Sequence, residues 1–287
     1  MNGVGVTEAD RFVTFDCNRA TCVAVLSANA GERRSSVGVV VIVGGPQYRV
    51  GSHRQFALLA RALALAGVPT LRFDYRGMGD SDGEPRNFES IHDDIRAAID
   101  ALSREAGVAR VVLWGLCDGA TAALLYGASD PRVAGIVALN PWARSTHGEA
   151  ATRLKHYYLR RLGSLEFWRK VLSGRFEARA AAGGLAANVR NAVKAETASP
   201  AGSFLDRMEE GWRRFGRPML VLLSGNDLTA REFEEWVAAD PRRRSMLHDR
   251  MTEVAPLVDA DHTFSDRASR DAMTGKTVEW ISRLHAH

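Results

Sequence analysis

Short apolar runs alternate with amphipathic stretches along most of the chain. Runs at 12–15 and 22–27 predict two strands in an opening hairpin, and VGVVVIV at 37–43 is typical of a strand buried on both faces. Strands that alternate with helices predict an α/β protein, with a mostly parallel central sheet and helices on both faces. The further strands are predicted at 69–73, 110–114, 133–139, 219–224 and 254–258, and the helices at 54–66, 90–103, 121–128 and 265–284.

The stretch 142–217 interrupts this alternation. It has helix-like patterns, such as RLKHYYLRRL and FLDRMEEGWRRF, and no clear strand. We therefore predict a core formed by 1–141 and 218–287 and a helical cap insertion at 142–217. In such a fold the insertion lies over the carboxyl ends of the strands, where ligands bind. It holds 15 Lys and Arg against 7 Asp and Glu, so it either meets an anionic partner or presents solvated arginines.

The composition is that of a soluble globular protein, with 46% hydrophobic and 25% charged residues among 287. No run of 18 or more apolar residues occurs, so no membrane span is expected. The N-terminal MNGVGVTEADRF lacks the basic start and apolar core of a secretory signal, and we expect a cytoplasmic protein. Three cysteines are too few for a disulfide framework. Cys17 and Cys22 could face each other across the opening hairpin, but in a reducing compartment they are expected to be free thiols.

No motif points to a cofactor. The histidines and acidic residues lack the spacing of H-E-x-x-H or of a facial triad, and neither G-x-G-x-x-G nor a P-loop occurs. We therefore expect neither a metal nor a nucleotide cofactor. The pI of about 9.2 would suit a nucleic-acid partner, but no nucleic-acid-binding motif accompanies it, and none is expected.

The candidate nucleophile is Cys117, at the centre of Gly115-Leu116-Cys117-Asp118-Gly119. This G-x-C-x-G follows an apolar strand and opens an alanine-rich helix, which is the context of a strained strand-to-helix turn that exposes a nucleophile. Side chains at the two glycine positions would collide with the neighbouring strand and helix. The helix N-terminus points at the sulfur and favours the reactive thiolate. The alternative is a small buried cysteine in a tight turn.

The partners of this nucleophile are expected later in the chain, in the order nucleophile, acid, histidine. Asp227 follows a predicted strand, and His262 follows the next one. His262 would take the thiol proton and return one to the leaving group, while Asp227 would orient the imidazole. Asp227 could instead cap the segment after it, and His262 could be a surface loop histidine. Asp259 and Asp261 are rival acids, but they lie very near His262 in the sequence.

An oxyanion hole for the tetrahedral intermediate needs two N–H donors. One is expected to be the amide of Asp118, directly after the nucleophile, and the other to come from the loop at 44–48. Pro46 has no N–H, so Gln47 is favoured, with Gly45 as the alternative.

The same glycine-rich loop continues to Arg49 and His53, which are candidates for binding an anionic substrate; the alternative is ordinary anchoring of the loop. In the block DYRGMGDSDG at 74–83, Asp74 and Arg76 are expected to fix the loop rather than to do chemistry.

Six blocks spread along the chain are characteristic when taken together: VIVGGPQYRVGSHRQF (41–56), LRFDYRGMGDSDGEPRNFE (71–89), LWGLCDGA (113–120), LKHYYLRRL (154–162), FWRKVLSGRF (167–176) and DADHTFS (259–265). They resemble the exosortase A system-associated hydrolase 1 family, over nearly the whole chain. The resemblance implies the α/β-hydrolase fold, kinship with serine aminopeptidase-like and dienelactone-hydrolase-like members, and a triad of Cys117, Asp227 and His262. It also implies an association with bacterial exosortase and exopolysaccharide gene clusters. Gly119 departs from the family, which often has alanine there.

The leading functional hypothesis is an α/β-hydrolase that cleaves an ester or thioester of a small-molecule acyl substrate through an acyl-enzyme on Cys117. Transfer of the acyl group to an acceptor other than water is a variant of the same chemistry. A binding or scaffold protein that uses the pocket without turnover is the alternative from another class. Peptidase activity rests on family kinship alone. Whether the chain forms a homodimer is left open.

Overall fold

The computed structural model describes residues 8–29, 35–45, 47–144 and 203–284. Within these ranges eight strands form one sheet. The predicted strands are all present, although the opening hairpin is longer than its apolar runs. The strands are β1 (Glu8–Cys17), β2 (Ala20–Asn29), β3 (Val37–Ile42), β4 (Thr70–Phe73), β5 (Arg110–Leu116), β6 (Val133–Leu139), β7 (Met219–Asn226) and β8 (Thr252–Asp261).

The sheet has the order β1-β2-β4-β3-β5-β6-β7-β8. The first two pairings, β1 with β2 and β2 with β4, are antiparallel, and every other pairing is parallel. In the middle strands β3 to β6 every side chain but that of Arg110 is buried, because helices cover both faces of the parallel part. The architecture is the α/β-hydrolase fold, as predicted.

Helices cover the sheet on two sides. Alternate valines of β3 pack in one core with Phe56 of α1 and Trp280 of α7. The opposite face of β3 meets α2, where Gly38 lies against Leu102. The helices are α1 (Gln55–Leu65), α2 (His92–Ala106), α3 (Asp118–Gly127), α4 (Phe204–Phe215), α5 (Leu228–Ala238), α6 (Pro241–Leu247) and α7 (Arg267–Leu284), with short 3-10 turns at Ser52–Arg54 and Phe88–Ser90.

Two buried ion pairs hold the loop after β4. Arg76 donates to both carboxylate oxygens of Asp94 in α2, at 2.9 and 2.8 Å. Asp74 accepts the backbone N–H of Arg49 at 2.7 Å and also pairs with the Arg49 guanidinium. Asp74 and Arg76 therefore anchor this loop to the body of the fold.

The chain divides into two compact units, one of Met1–Ala143 and Arg207–His287 and one of Arg144–Asp206. The insertion predicted at 142–217 overlaps both. Helix α4 lies within it, and its residues from Arg207 onward belong to the first unit. Most of the rest of the predicted cap lies outside the described residues.

Candidate active site

Cys117 lies at the junction of β5 and α3, directly before the first residue of the helix. Its backbone has φ 60° and ψ −124°, a conformation that a residue with a side chain rarely adopts. The turn is fixed by hydrogen bonds on both sides: the Cys117 N–H donates to Leu139 O at 2.9 Å, and Cys117 O accepts the N–H groups of Ala120 and Thr121 at 3.1 Å. Strain of this kind, held by a surrounding structure, is typical of a nucleophile turn.

The two glycines of G-x-C-x-G are required by close backbone contacts. A Cβ on Gly115 would lie 2.3 Å from Gly119 O, and a Cβ on Gly119 would lie 2.5 Å from Ile42 O in β3. These atoms belong to the backbone and cannot rotate away. The pattern therefore reflects the tight packing of helix α3 against β3 and β5.

The loop that follows β8 brings His262 to the cysteine. His262 Nδ1 lies 2.7 Å from Asp227 Oδ2. Because a carboxylate only accepts, Nδ1 donates this bond, which leaves Nε2 for another partner. The second side chain that acts on the ring, and that raises the pKa of His262, is that of Cys117. The three residues thus form a continuous line of side chains, from three different strand ends.

The electrostatics of this line favour a charged imidazole. The hydrogen bond to Asp227, followed by the one to Cys117, raises the pKa of His262 to about 10, although burial opposes the shift. The ring therefore holds both of its protons at neutral pH.

The rival acid Asp261 has another function in the structure. Its carboxylate accepts hydrogen bonds from the N–H of Thr263 at 2.9 Å and from the backbone and hydroxyl of Ser265, the hydroxyl bond being the main cause that lowers its pKa to about 2. It therefore shapes the turn that carries His262. Asp259 is exposed, and its backbone O accepts the Asn226 side chain.

A cavity of about 350 Å³ opens at the sulfur. Its described lining is mostly apolar, and Cys117 and His262 are exposed to it. Trp142 is part of this lining and is tied to the turn, because its N–H donates to Cys117 O and its O accepts the Thr121 hydroxyl. The lining residues are Gly44, Gly45, Gln47, Phe56, Phe88, Leu116, Cys117, Asp118, Trp142 and His262.

The sequence carried no signal that would place Trp142 and Phe88, two of the aromatic residues of this lining, at the cavity. Trp142 follows β6 at the predicted start of the cap, and Phe88 lies in the 3-10 turn before α2. Neither belongs to a motif with chemistry, and only the folded chain brings them to the sulfur. An aromatic residue directly after a strand end is the weak signal that could have indicated Trp142.

The oxyanion loop differs in detail from the sequence expectation. The N–H of Gln47, the favoured donor, points to Gly44 O at 3.4 Å. The N–H of Gly45, the alternative, points toward the nucleophile turn and donates to Asp118 Oδ2 at 2.8 Å. Of these two N–H groups, that of Gly45 is therefore the one directed at the residue after Cys117, and both Gly45 and Gln47 line the cavity.

Arg49 and His53 are not brought to the cavity, so the anion-binding expectation finds no geometric support. The Arg49 guanidinium is buried and paired with Asp74 and with Asp80 at 2.6 Å. Its charge is thereby already neutralised inside the protein. His53 is exposed, with φ 53°, and is not among the described residues that line the cavity.

Within the part of the chain that the structure describes, no cluster of histidine, cysteine or acidic side chains could hold a metal ion. No helix of the described ranges is both long and apolar enough to cross a membrane.

The fold and the site together define an α/β-hydrolase. The chain belongs to the family described as "Serine aminopeptidase, S33", whose model matches residues 34–235. In this chain the residue at the centre of the nucleophile turn is a cysteine.

Curated relatives match parts of the chain. A thiohydrolase, apmlB, from Arthrinium phaeospermum is 35% identical over 163 residues, which are 54% of this chain and 49% of the relative. A polyketide transferase, grgF, from Penicillium sp is 40% identical over 88 residues, 28% of this chain and 29% of the relative. The chain thus spans less than half the length of these relatives. The solved esterase Pf2001 from Pyrococcus furiosus superposes with a TM-score of 0.65 at 15% identity, covering 97% of this chain and 92% of that one.

Proposed function

We propose that this hydrolase cleaves an ester or thioester through a covalent acyl-enzyme on Cys117, with His262 and Asp227 as its partners. The observation that carries the proposal is the line from the Asp227 carboxylate through His262 to the thiol, at the mouth of an apolar cavity. The strained backbone of Cys117 supports it, because such strain persists where it has a function.

The proposed reaction runs in two steps. The Cys117 thiolate attacks the acyl carbon, and the tetrahedral oxyanion is stabilised by the N–H groups of Asp118 and Gly45. Collapse breaks the bond to the leaving group, which takes its proton from the His262 imidazolium. The neutral imidazole then removes a proton from water, whose oxygen attacks the thioester and releases the acid and the thiolate. Asp227 orients the ring and stabilises its cation throughout.

The cavity supports a small acyl group as substrate. Its volume of about 350 Å³ lies at the lower end of ligand pockets, and its walls are mostly apolar. The thiohydrolase relative supports the choice of a thioester or ester bond. The family resemblance supports a link of the enzyme to bacterial exosortase and exopolysaccharide systems.

Acyl transfer is the second candidate, and the polyketide transferase relative is the observation that favours it. The first half of the reaction is the same, and only the acceptor differs. Mixing the acyl-enzyme with alcohols or sugars distinguishes the two: transfer products in place of free acid would identify a transferase.

The test compares p-nitrophenyl acetate and butyrate hydrolysis by the wild type, Cys117→Ala and Cys22→Ala, with intact mass spectrometry of the protein. We expect turnover and an acyl adduct in the wild type and Cys22→Ala, and neither in Cys117→Ala. Absence of both turnover and adduct in the wild type would favour the binding or scaffold hypothesis.

Alkylation provides an independent check. Burial raises the pKa of Cys17 to about 11 and that of Cys22 to about 12, so both remain thiols at neutral pH. Iodoacetamide at pH 7 should therefore modify Cys117 at least about tenfold faster than either. Peptide mapping that found equal labelling of the three would contradict the assignment of Cys117.

A further inference from the structure

The carboxylate of Asp118 occupies a donor that an oxyanion would use. Its Oδ2 accepts the Gly45 N–H at 2.8 Å. The N–H groups of Gly119 and of Asp118 itself also act to lower the pKa of the carboxyl group. Gly45 and Asp118 are the two donors of the proposed oxyanion hole. A carboxylate that belongs to the protein therefore already holds one of them, the Gly45 N–H.

The protein leaves space for this carboxylate. Gly44 has no side chain, and a Cβ there would lie 2.1 Å from Asp118 Oδ1. This Oδ1 is buried and has no well-aligned hydrogen-bond partner among the described residues. A buried oxygen without a partner loses the stabilisation that water gave it. Thus one oxygen of the carboxylate, Oδ2, is held by the Gly45 N–H, while the other, Oδ1, lacks a well-aligned donor.

Charged and titratable neighbours surround the carboxyl group. Burial raises the pKa of Asp118 above its ordinary value, while the nearby N–H groups and then the charge of His262 lower it. Cys117 precedes it on the same turn. Tyr75 faces it from the loop after β4, and burial, followed by the charge of Asp118, raises the pKa of Tyr75 to about 12.

We propose that Asp118 gates the oxyanion hole: its carboxylate holds the Gly45 N–H, and an acyl substrate must displace it before the intermediate can be stabilised. The inference rests on the proposed acyl chemistry. The carboxylate competes for the donor and also repels the developing oxyanion, so its negative charge slows acylation. A neutral amide of the same shape removes the repulsion and weakens the competition, because an amide oxygen accepts the Gly45 N–H less strongly than a carboxylate does.

The first test follows the Gly45 amide of the wild-type protein by NMR, with ¹⁵N-glycine labelling. An N–H that donates to a carboxylate changes its chemical shift as that carboxylate is protonated. We expect the Gly45 resonance to titrate in the wild type and to stop titrating in Asp118→Asn. A Gly45 resonance that is insensitive to pH in the wild type overturns the proposal, whether or not the protein is an esterase.

The second test measures acylation by p-nitrophenyl butyrate in single turnovers. Asp118→Asn should acylate faster than the wild type at pH 7, by about tenfold, because the loss of one oxyanion donor commonly costs a hundredfold or more. The ratio of the two rates should fall toward one as the pH falls through the pKa of Asp118, where the wild type also becomes neutral. Asp82→Asn removes an equal charge from an exposed side chain and should leave the rate unchanged.

The outcomes separate the two proposals. An acyl adduct on the wild type together with slower acylation by Asp118→Asn would mean that the carboxylate supports the loop, and would overturn the gate. Asp118→Ser serves as a second neutral variant if the asparagine protein does not fold. A wild type without an adduct contradicts the proposed function itself, while the Gly45 resonance still decides whether Asp118 holds that N–H.

Discussion

At the scale of single residues, the two carboxylate oxygens of Asp227 make the two contacts that its two interpretations require. Its Oδ1 caps helix α5 by accepting the Thr229 N–H at 2.9 Å, and its Oδ2 meets the ring of His262. The sequence presented helix capping and catalysis as alternatives. The cap fixes the carboxylate, so the oxygen that faces the histidine is already oriented.

Replacing Asp227 should slow the alkylation of Cys117 by iodoacetamide. The pKa of His262 is raised to about 10, so the imidazolium is present below that value and is lost as the pH rises through it. Asp227→Asn removes the main cause of the shift and should bring the pKa back toward its ordinary range. We expect the rate of Cys117 alkylation by iodoacetamide at pH 7 to fall by about tenfold or more.

The matched control for this substitution is Asp240→Asn. Asp240 caps α6 through the Arg242 N–H, as Asp227 caps α5, but it has no histidine partner among the described residues. The rate of Cys117 alkylation in the Asp240→Asn variant should equal that of the wild type. Equal changes in both variants would mean that the effect comes from helix capping rather than from the pKa of His262.

At the scale of elements, the turn between β5 and α3 was predictable because its signal is local. An apolar strand, two glycines and an alanine-rich helix lie within 20 consecutive residues. The structure shows why position 119 requires glycine: the backbone of β3 leaves no space for a side chain there. The space there is too small for the alanine that the resembling family often has.

Gly119→Ala should therefore destabilise the protein. The new Cβ would lie 2.5 Å from Ile42 O, and relieving the overlap must move either β3 or the start of α3. Overpacking of this kind costs about 1–3 kcal/mol, and chemical denaturation should show the loss. Gly275→Ala is the control: nothing lies near its Cβ in helix α7, so it should stabilise by about 0.5–1 kcal/mol. Equal stability of the two variants would contradict the overlap between a Cβ at position 119 and Ile42 O.

Two helices and one buried ion pair could not be predicted from local sequence patterns. Helices α5 and α6 were not predicted, because α5 mixes apolar and charged positions and α6 has only seven residues, although the Asp-Pro at its start is a capping signal. The pairing of Arg49 with Asp74 depends on a contact across 25 residues. From the sequence alone, Arg49 could be a site for an anionic substrate or an anchor of its loop. In the folded chain its charge is paired with the carboxylates of Asp74 and Asp80.

At the scale of the whole molecule, the site depends on chain segments that lie far apart. Cys117 follows β5, whereas Asp227 and His262 follow β7 and β8. A pair of buried hydrogen bonds joins these parts: Asn140 Nδ2 donates to Ser224 Oγ, and Asn140 Oδ1 accepts the Ser224 N–H, both at 2.9 Å. This pair fixes the ends of β6 and β7, and hence the strand from which Asp227 emerges.

Asn140→Ala should weaken this connection. The substitution leaves the buried Ser224 N–H without its acceptor, which costs about 1–3 kcal/mol. It also places alanine at φ 45°, a conformation that asparagine tolerates better. We expect a lower denaturant midpoint and, because Asp227 is less well fixed, slower acylation of Cys117.

Asn140→Gly separates the two causes, because glycine adopts φ 45° without strain but also lacks the amide. If the hydrogen bonds dominate, both variants lose nearly the same free energy of unfolding; if backbone strain dominates, only the alanine variant does. If both variants had wild-type stability and wild-type acylation rates, the ends of β6 and β7 would be held together without the Asn140–Ser224 hydrogen bonds. The link between β6 and β7 would then have to come from their ladder of backbone hydrogen bonds and apolar packing alone.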